Sequence, residues 1–160
     1  MNRTQRRSAA RTKPAMPPRR RYTGPNRPTL AEVHQVFAPI DWMFDEMRQG
    51  EVSEMSGVAA MRDVERNWYQ IGPALAGWID CWQRLDRRFS LGLDLTPLCE
   101  LGRKLDDGEL MTMAEIDAAY AVINRCRELY RQMDVYEVKT VVRTTEIVIA
   151  LEEAGARMKG

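Results

Sequence analysis

The amino-acid sequence predicts an all-α protein, a compact bundle of five or six helices that follows a disordered basic N-terminal arm. Two observations lead to this prediction. From Met61 to Phe89 the apolar residues recur at steps of three and four, as they do on the buried face of an amphipathic helix. The same spacing returns in later segments, and residues that favour helix caps precede several of these segments.

Residues 1–28 are predicted to form a flexible arm rich in Arg and Pro. They contain nine Arg or Lys residues and no Asp or Glu, and they offer almost no apolar side chain to bury. Such a composition predicts disorder in the free chain. Residues 3–13 have a composition compatible with a helix formed on a partner, whereas residues 14–28 favour an extended backbone because of their five prolines.

The formal charge divides the chain in the same way. The whole sequence carries a net charge of +1, but residues 29–160 contain 15 basic and 23 acidic side chains, a formal charge of −8. The sequence therefore predicts a cationic arm joined to an acidic helical domain, and this division restricts the choice of partners more than the total charge does.

The first helix of the domain is predicted to begin at Thr29. Thr29 followed by Glu32 is the pattern of a capping box, in which each side chain hydrogen-bonds to the other residue's backbone N–H. Pro39 predicts a kink or a short break, after which a second piece runs from Ile40 to Gln49. Gly50 is a typical helix terminator.

The central helix is predicted to begin near Ser53 or Ser56 and to end near Ser90. The Gly72-Pro73 pair falls within it, and both a kinked helix and a tight corner between two helices fit, with the kink favoured because the apolar stripe keeps its phase. The stripe should form the core of the bundle, although the same phase would also fit a homodimer seam. Its residues are Met61, Val64, Trp68, Ile71, Leu75, Trp78, Trp82, Leu85 and Phe89.

Three further helices or helical pieces follow. Thr96-Pro97 opens a short helix to Leu105, and Thr112 with Glu115 forms a second capping box ahead of a helix that extends towards Met133. The last predicted helix runs from Val135 to about Glu153. Its many β-branched residues leave a strand as the alternative.

An offset of 58 residues aligns the chain with itself. Pro39 aligns with Pro97, Gly50-Glu51 with Gly108-Glu109, and Met55 with Met113. The match predicts a duplicated helical hairpin, with repeat 1 at about 29–90 and repeat 2 at about 95–155. Because each hairpin would leave one apolar stripe uncovered, the two copies should pack on each other.

No motif for catalysis, a cofactor or a metal occurs in the sequence, so we expect a protein that is not an enzyme. His34 is the only histidine, and Cys81, Cys99 and Cys126 are too scattered for a disulfide framework or a zinc site. Reduced thiols suit the cytoplasm. No apolar run is long enough for a membrane span, and the basic N-terminus lacks the apolar segment of a secretory signal.

The arm carries the strongest functional signal in the sequence. A cluster of cations without acids indicates nucleic-acid binding, because Arg pairs with phosphate and the release of counterions supplies affinity with little sequence preference. The partner would be DNA or RNA. The alternatives are an acidic protein surface, which includes this protein's own domain, and a role in solubility alone. The candidate phosphate-binding residues are Arg3, Arg6, Arg7, Arg11, Lys13, Arg19, Arg20 and Arg21.

Two segments resemble known proteins. The opening Met1-Asn2-Arg3-Thr4-Gln5-Arg6-Arg7, and the stretch from Pro39-Ile40 through Arg48-Gln49-Gly50, resemble small uncharacterised proteins encoded by tailed phages and prophages of proteobacteria. The resemblance carries no specific activity. It implies an accessory protein that acts in the bacterial host cell and binds nucleic acid or host machinery.

Two other functions therefore remain open beside nucleic-acid binding. The acidic domain could bind and inhibit a host protein, as anti-defence proteins do, and removal of the arm would then leave the activity intact. The protein could also be a virion or assembly component, which would form defined oligomers.

Overall fold

The computed structural model describes residues 24–50, 52–55, 58–62 and 65–159, and it is predominantly helical. This confirms the predicted all-α class. The described residues form five helices: α1 Leu30–Gln49, α2 Ile71–Phe89, α3 Thr96–Asp107, α4 Met113–Tyr130 and α5 Val135–Lys159. Between α1 and α2 the chain adds three short strands: β1 Ser53–Met55, β2 Val58–Arg62 and β3 Trp68–Gln70.

The predicted helix boundaries are confirmed at Thr29, Thr112 and Gly50, whereas α3 ends at Asp107 and not at Leu105 as predicted. Thr29 and Thr112 each form a complete capping box, with Glu32 and Glu115 as their respective partners. Gly50 and Gly108 end α1 and α3 in the left-handed conformation, at φ of 73° and 67°. These local signals determine where each helix begins or ends, because a cap satisfies backbone groups that the helix itself leaves unpaired.

The helices pack around one core. α4 lies between α1 and α3, α3 packs on α2, and α2 also contacts α5. The sheet lies against α2 and α3 through β2, and it is antiparallel with the strand order β1-β2-β3. The largest fully buried side chains come from α1, β2, α2, α3 and α4 and include Phe37, Phe44, Met61, Leu75, Leu101 and Ile123.

The predicted central helix is wrong in its first half. Residues 58–62 and 68–70 are strands, and the helix begins only at Ile71. The apolar stripe is buried as predicted from Ile71 through Leu75, Trp82 and Leu85 to Phe89, but Trp68 is 43% exposed. Met61 is buried as well, but it lies on a strand and not on a helix, because β2 packs on α2 and α3.

Gly72-Pro73 lies in the first turn of α2, so both the predicted kink and the predicted corner are wrong. A proline in the first turn costs no hydrogen bond, because the N–H groups there have no partner within the helix. The pair therefore marks a helix start. Pro39, by contrast, lies inside the single helix α1, where the sequence predicted a kink or a break. The carbonyl of Gln35 loses a partner there, and Gln35 is exposed, so water can replace it.

The offset of 58 residues does not relate two like units. It matches the glycine caps of α1 and α3, but it then pairs Met55 in β1 with Met113 at the start of α4. Pro39 and Pro97 also differ, since Pro39 is inside its helix and Pro97 is in the first turn. A duplicated hairpin is therefore not the architecture of the described residues.

The last helix is confirmed as a helix, and it extends to Lys159. Three of its threonines direct their hydroxyl groups to the helix backbone. The hydroxyls of Thr140, Thr144 and Thr145 each donate a hydrogen bond of 2.9 Å to the carbonyl four residues earlier. Thr145 is buried, so this bond satisfies a polar group that would otherwise be unpaired in the core.

Candidate functional site

The predicted phosphate-binding residues lie outside the described residues. This holds for all eight: Arg3, Arg6, Arg7, Arg11, Lys13, Arg19, Arg20 and Arg21. The structure does describe residues 24–28, which the sequence assigned to the flexible arm, and it places them in contact with the helical domain.

The arm joins the domain at a defined point, the turn between α4 and α5. The backbone N–H of Asn26 and its side-chain amide lie 3.4 Å and 3.3 Å from the Asp134 carboxylate, and both donate to it. The carbonyl of Asn26 accepts a hydrogen bond of 2.9 Å from the N–H of Val135. Gly24 lies so close that an added Cβ would be 2.6 Å from the Cβ of Asp134. Residues 24–26 are therefore held against the domain both by hydrogen bonds and by close packing.

Asp134 also caps α5. Its second carboxylate oxygen accepts hydrogen bonds from the N–H groups of Tyr136 and Glu137, at 3.0 Å and 3.4 Å. Desolvation opposes ionisation of this carboxyl group, but the hydrogen bonds from Tyr136, Glu137 and Asn26 outweigh it and hold the pKa of Asp134 below its usual value. One carboxylate thus connects the start of the last helix to the root of the arm.

A small basic depression lies beside this root. It has a volume of about 320 Å³ and is lined by Arg27, Glu128, Arg131 and Gln132. Glu128 is paired with Arg125 at 3.2 Å. Arg27 and Arg131 are exposed, and neither forms an ion pair with any described residue. Within the described part of the chain, two guanidinium groups without a carboxylate partner therefore lie beside the arm root.

A second feature is an apolar groove of about 510 Å³ between α1, β3 and the first turns of α2. Its lining includes Val36, Pro39, Trp42, Tyr69, Ala74 and Trp78, and no described residue that lines it carries a charge. Val36 is 42% exposed and Tyr69 is 50% exposed, so the groove opens to solvent. Apolar clefts of this size with aromatic walls are typical binding sites.

Trp78 occupies a special position in this groove. Its ring contacts Phe37 edge-on at a centroid distance of 5.1 Å, and it lies 6.1 Å from the ring of Trp82. Its indole Nε1–H is buried and has no acceptor in the described part of the chain. A buried donor without an acceptor is uncommon in folded proteins and needs an explanation.

The three cysteines are free thiols, and they differ in exposure. Burial raises the pKa of the Cys126 thiol to about 12, and burial together with the neighbouring Asp80 raises the pKa of the Cys81 thiol to about 11. Cys99 is exposed. Burial makes the Cys81 and Cys126 thiols poor nucleophiles, because the thiolate is the reactive form.

Two kinds of site are absent from the described ranges. No group of three or more His, Cys, Asp or Glu residues there is placed to hold a metal ion. No described helix combines the length and the apolar character that a membrane span requires.

Sequence reasoning missed both the arm root and the groove. The contacts of Asn26 with Asp134 join residues 108 positions apart, so no local pattern predicts them. The groove depends on β3, and the sequence placed that segment inside a helix. The Ser56-Gly57 pair, a common turn dipeptide, and Pro73 were signals that could have divided this segment correctly.

Comparisons of the chain with models of protein families, with curated proteins and with solved structures found no match.

Proposed function

We propose that this protein is a non-enzymatic nucleic-acid-binding protein whose cationic arm contacts the phosphates of DNA or RNA. The observation that carries the proposal is the defined root of the arm. Asn26 is hydrogen-bonded to Asp134, and beside that point lie Arg27 and Arg131, which form no ion pair with any described residue. In the sequence, the eight cations of residues 1–23 directly precede this root.

The charge of the remaining surface adds to the argument. Residues 29–160 carry a formal charge of −8, which repels phosphate. Contact with nucleic acid would therefore be limited to the arm and its root, and the acidic domain would face away. Arg pairs with phosphate through two N–H groups at once, and the release of counterions would supply affinity without much preference for sequence.

The experiment is a salt titration of nucleic-acid binding by the full-length protein. We expect the logarithm of the association constant to fall linearly with the logarithm of the salt concentration, with a slope of about −0.9 per phosphate contact on duplex DNA. Replacing the eight arm cations by Gln should abolish most of this slope. The double variant Arg27→Ala, Arg131→Ala should reduce its magnitude by about one per arginine.

Arg103→Ala provides a matched control. Arg103 is an exposed arginine, but Glu100, Asp107 and Glu109 surround it, so it should not contact phosphate. Its removal should leave affinity and slope unchanged. Absence of binding by the full-length protein at moderate salt would exclude the proposal. An equal loss of affinity in the Arg103 variant and in the arm variant would also exclude it.

The proposed setting is the cytoplasm of a bacterial host. The resemblance of residues 1–7 and 39–50 to phage and prophage proteins supports it. Free thiols are also usual in a reducing compartment.

A second candidate function is the binding of a basic surface on a host protein, and one feature of α5 favours it. After Thr145 no described residue of α5 is buried, although this half of the helix contains Ile147 and Leu151, which are 53% and 66% exposed. Glu146, Glu152 and Glu153 lie among them. The three charged residues of the stretch 146–153 are all acidic, and an exposed apolar pair within such a stretch suits a partner that combines an apolar centre with basic residues.

Capture of host proteins tests this second function. The full-length protein and a Leu151→Lys variant would be compared on the same lysate, with Thr140→Lys, at an exposed position nearer the start of α5, as the control. A specific partner should be lost with Leu151→Lys and kept with Thr140→Lys. Sizing of the same three proteins distinguishes a self-assembling component, because a defined oligomer would then dissociate in the Leu151 variant alone.

A further inference from the structure

We propose that the apolar groove between α1, β3 and α2 binds the proline-rich segment of this chain's own arm, residues 14–18. The sequence of that segment is Pro-Ala-Met-Pro-Pro, and it contains no charge. The proposal concerns how the arm meets the domain, and it does not rest on nucleic-acid binding.

The chemistry of the groove fits such an occupant. Segments of this composition form the polyproline II helix, which is already extended and therefore loses little freedom on binding. Grooves lined with aromatic side chains recognise it. Trp42, Tyr69 and Trp78 supply such walls.

The charges on either side of the groove also match. Glu32, Pro39 and Glu46 are spaced by seven residues, or about two helical turns, so they lie in one line along α1 with Pro39 in the groove lining. The Cα atoms of the two glutamates are about 21 Å apart at 1.5 Å per residue. In the arm, Lys13 and Arg19 flank the proline segment and are about 19 Å apart at 3.1 Å per residue. A cation can therefore face a carboxylate at each end.

The chain can reach the groove from the arm root. Gly24 is held against Asp134, and four residues connect it to Thr29, the N-cap of α1. Four residues also separate Gly24 from Arg19, and the five Cα–Cα steps between Arg19 and Gly24 span up to about 17 Å when extended. In the proposed arrangement Arg19 lies at the Glu32 end of the groove and Lys13 at the Glu46 end. The segment runs antiparallel to α1.

Photo-crosslinking of the full-length protein tests the proposal. The photoreactive amino acid p-benzoylphenylalanine replaces Met16, the protein is irradiated at low concentration, and the crosslinked peptides are identified by mass spectrometry. We expect crosslinks within one chain to the groove residues, in the peptides that contain Val36 to Met43 and Tyr69 to Trp78. Crosslinks to other surfaces, crosslinks between two chains, or none at all would overturn the proposal.

Two substitutions on one helix provide the specificity control. Ala74 and Ala76 are both exposed on α2, but Ala74 lines the groove and Ala76 lines a different depression, towards α3. Ala74→Arg fills the groove and adds a positive charge, so it should reduce the yield of the groove crosslink at least about fivefold. Ala76→Arg should leave the yield unchanged. Equal yields from both variants would exclude the groove as the binding site, provided that both melt at the temperature of the parent protein.

Discussion

Tyr120 on α4 donates a hydrogen bond of 2.9 Å to the carboxylate of Asp41 on α1. Arg127, two turns further along α4, donates to the same carboxylate oxygen. The side chains of Asp41 and Arg127 are 31% and 27% exposed, so water screens this contact only in part. Asp41 therefore connects α1 to α4 through two contacts, with residues that lie 79 and 86 positions later in the sequence.

Replacing Tyr120 by Phe removes the hydroxyl group and keeps the aromatic ring. The ring contacts of Tyr120 with Phe44, at 5.3 Å, and with the Arg48 guanidinium, at 4.4 Å, should survive. We expect Tyr120→Phe to lower the free energy of unfolding by about 0.5–1.5 kcal/mol, the usual net contribution of one hydrogen bond. Urea unfolding measures this loss. Tyr136→Phe is the control, because Tyr136 is 64% exposed and its loss of a hydroxyl should change little.

The hydrogen bonds to Asp134 predict a dependence of stability on pH. Its pKa is lower in the folded protein than in the unfolded chain, so ionised Asp134 stabilises the fold above about pH 4. This contribution is lost as the pH falls through the lower, folded pKa. Asp134→Asn keeps a residue that can cap α5 but removes the charge. The variant should therefore be less stable than the parent at pH 7, and the difference should shrink at pH 3. Urea unfolding at both pH values checks this, and a difference independent of pH would contradict it.

Thiol labelling should separate the three cysteines. Cys99 is exposed, whereas burial raises the pKa values of Cys81 and Cys126 to about 11 and 12. Ellman's reagent at neutral pH should therefore modify Cys99 in the native protein and all three cysteines after denaturation. Cys99→Ser is the control, since its native form should lose the rapid reaction. Rapid labelling of Cys126 in the native state would show that the core between α2 and α4 opens.

The helices could be predicted because their signals are local. Thr29 with Glu32, and Thr112 with Glu115, lie within one helical turn, and each pair satisfies backbone groups at its own helix end. Gly50 and Gly108 have left-handed φ values that most residues avoid. The stripe from Ile71 to Phe89 is long enough for its period to be unambiguous, and it is buried apart from the half-buried Trp78.

The sheet could not be predicted because its strands have only three to five residues. In so short a segment, alternation cannot be distinguished from a helical period, and Met61 and Trp68 fell in phase with the helix that follows. The strands are stabilised by packing on α2 and α3, which is a tertiary effect. The groove and the arm root were missed for the same reason, since both join residues distant in sequence.

A single substitution in the loop between β2 and β3 tests whether these residues form a hairpin or a helix. Arg66 has a left-handed backbone, with φ of 69°, in the loop that connects the pair Arg62 and Trp68. A left-handed conformation costs an L-residue about 1–2 kcal/mol, whereas glycine adopts it freely and loses about 0.5–1 kcal/mol of conformational freedom instead. Arg66→Gly should therefore raise the free energy of unfolding by up to about 1 kcal/mol.

If residues 61–70 belonged to a helix, the same change would lower the free energy of unfolding by about 1 kcal/mol. Gln83→Gly, at an exposed position within α2, supplies the helical reference and should be destabilising. Urea unfolding of the three proteins thus gives opposite signs for a hairpin and a helix, and a loss of stability in Arg66→Gly equal to that in Gln83→Gly would disprove the hairpin.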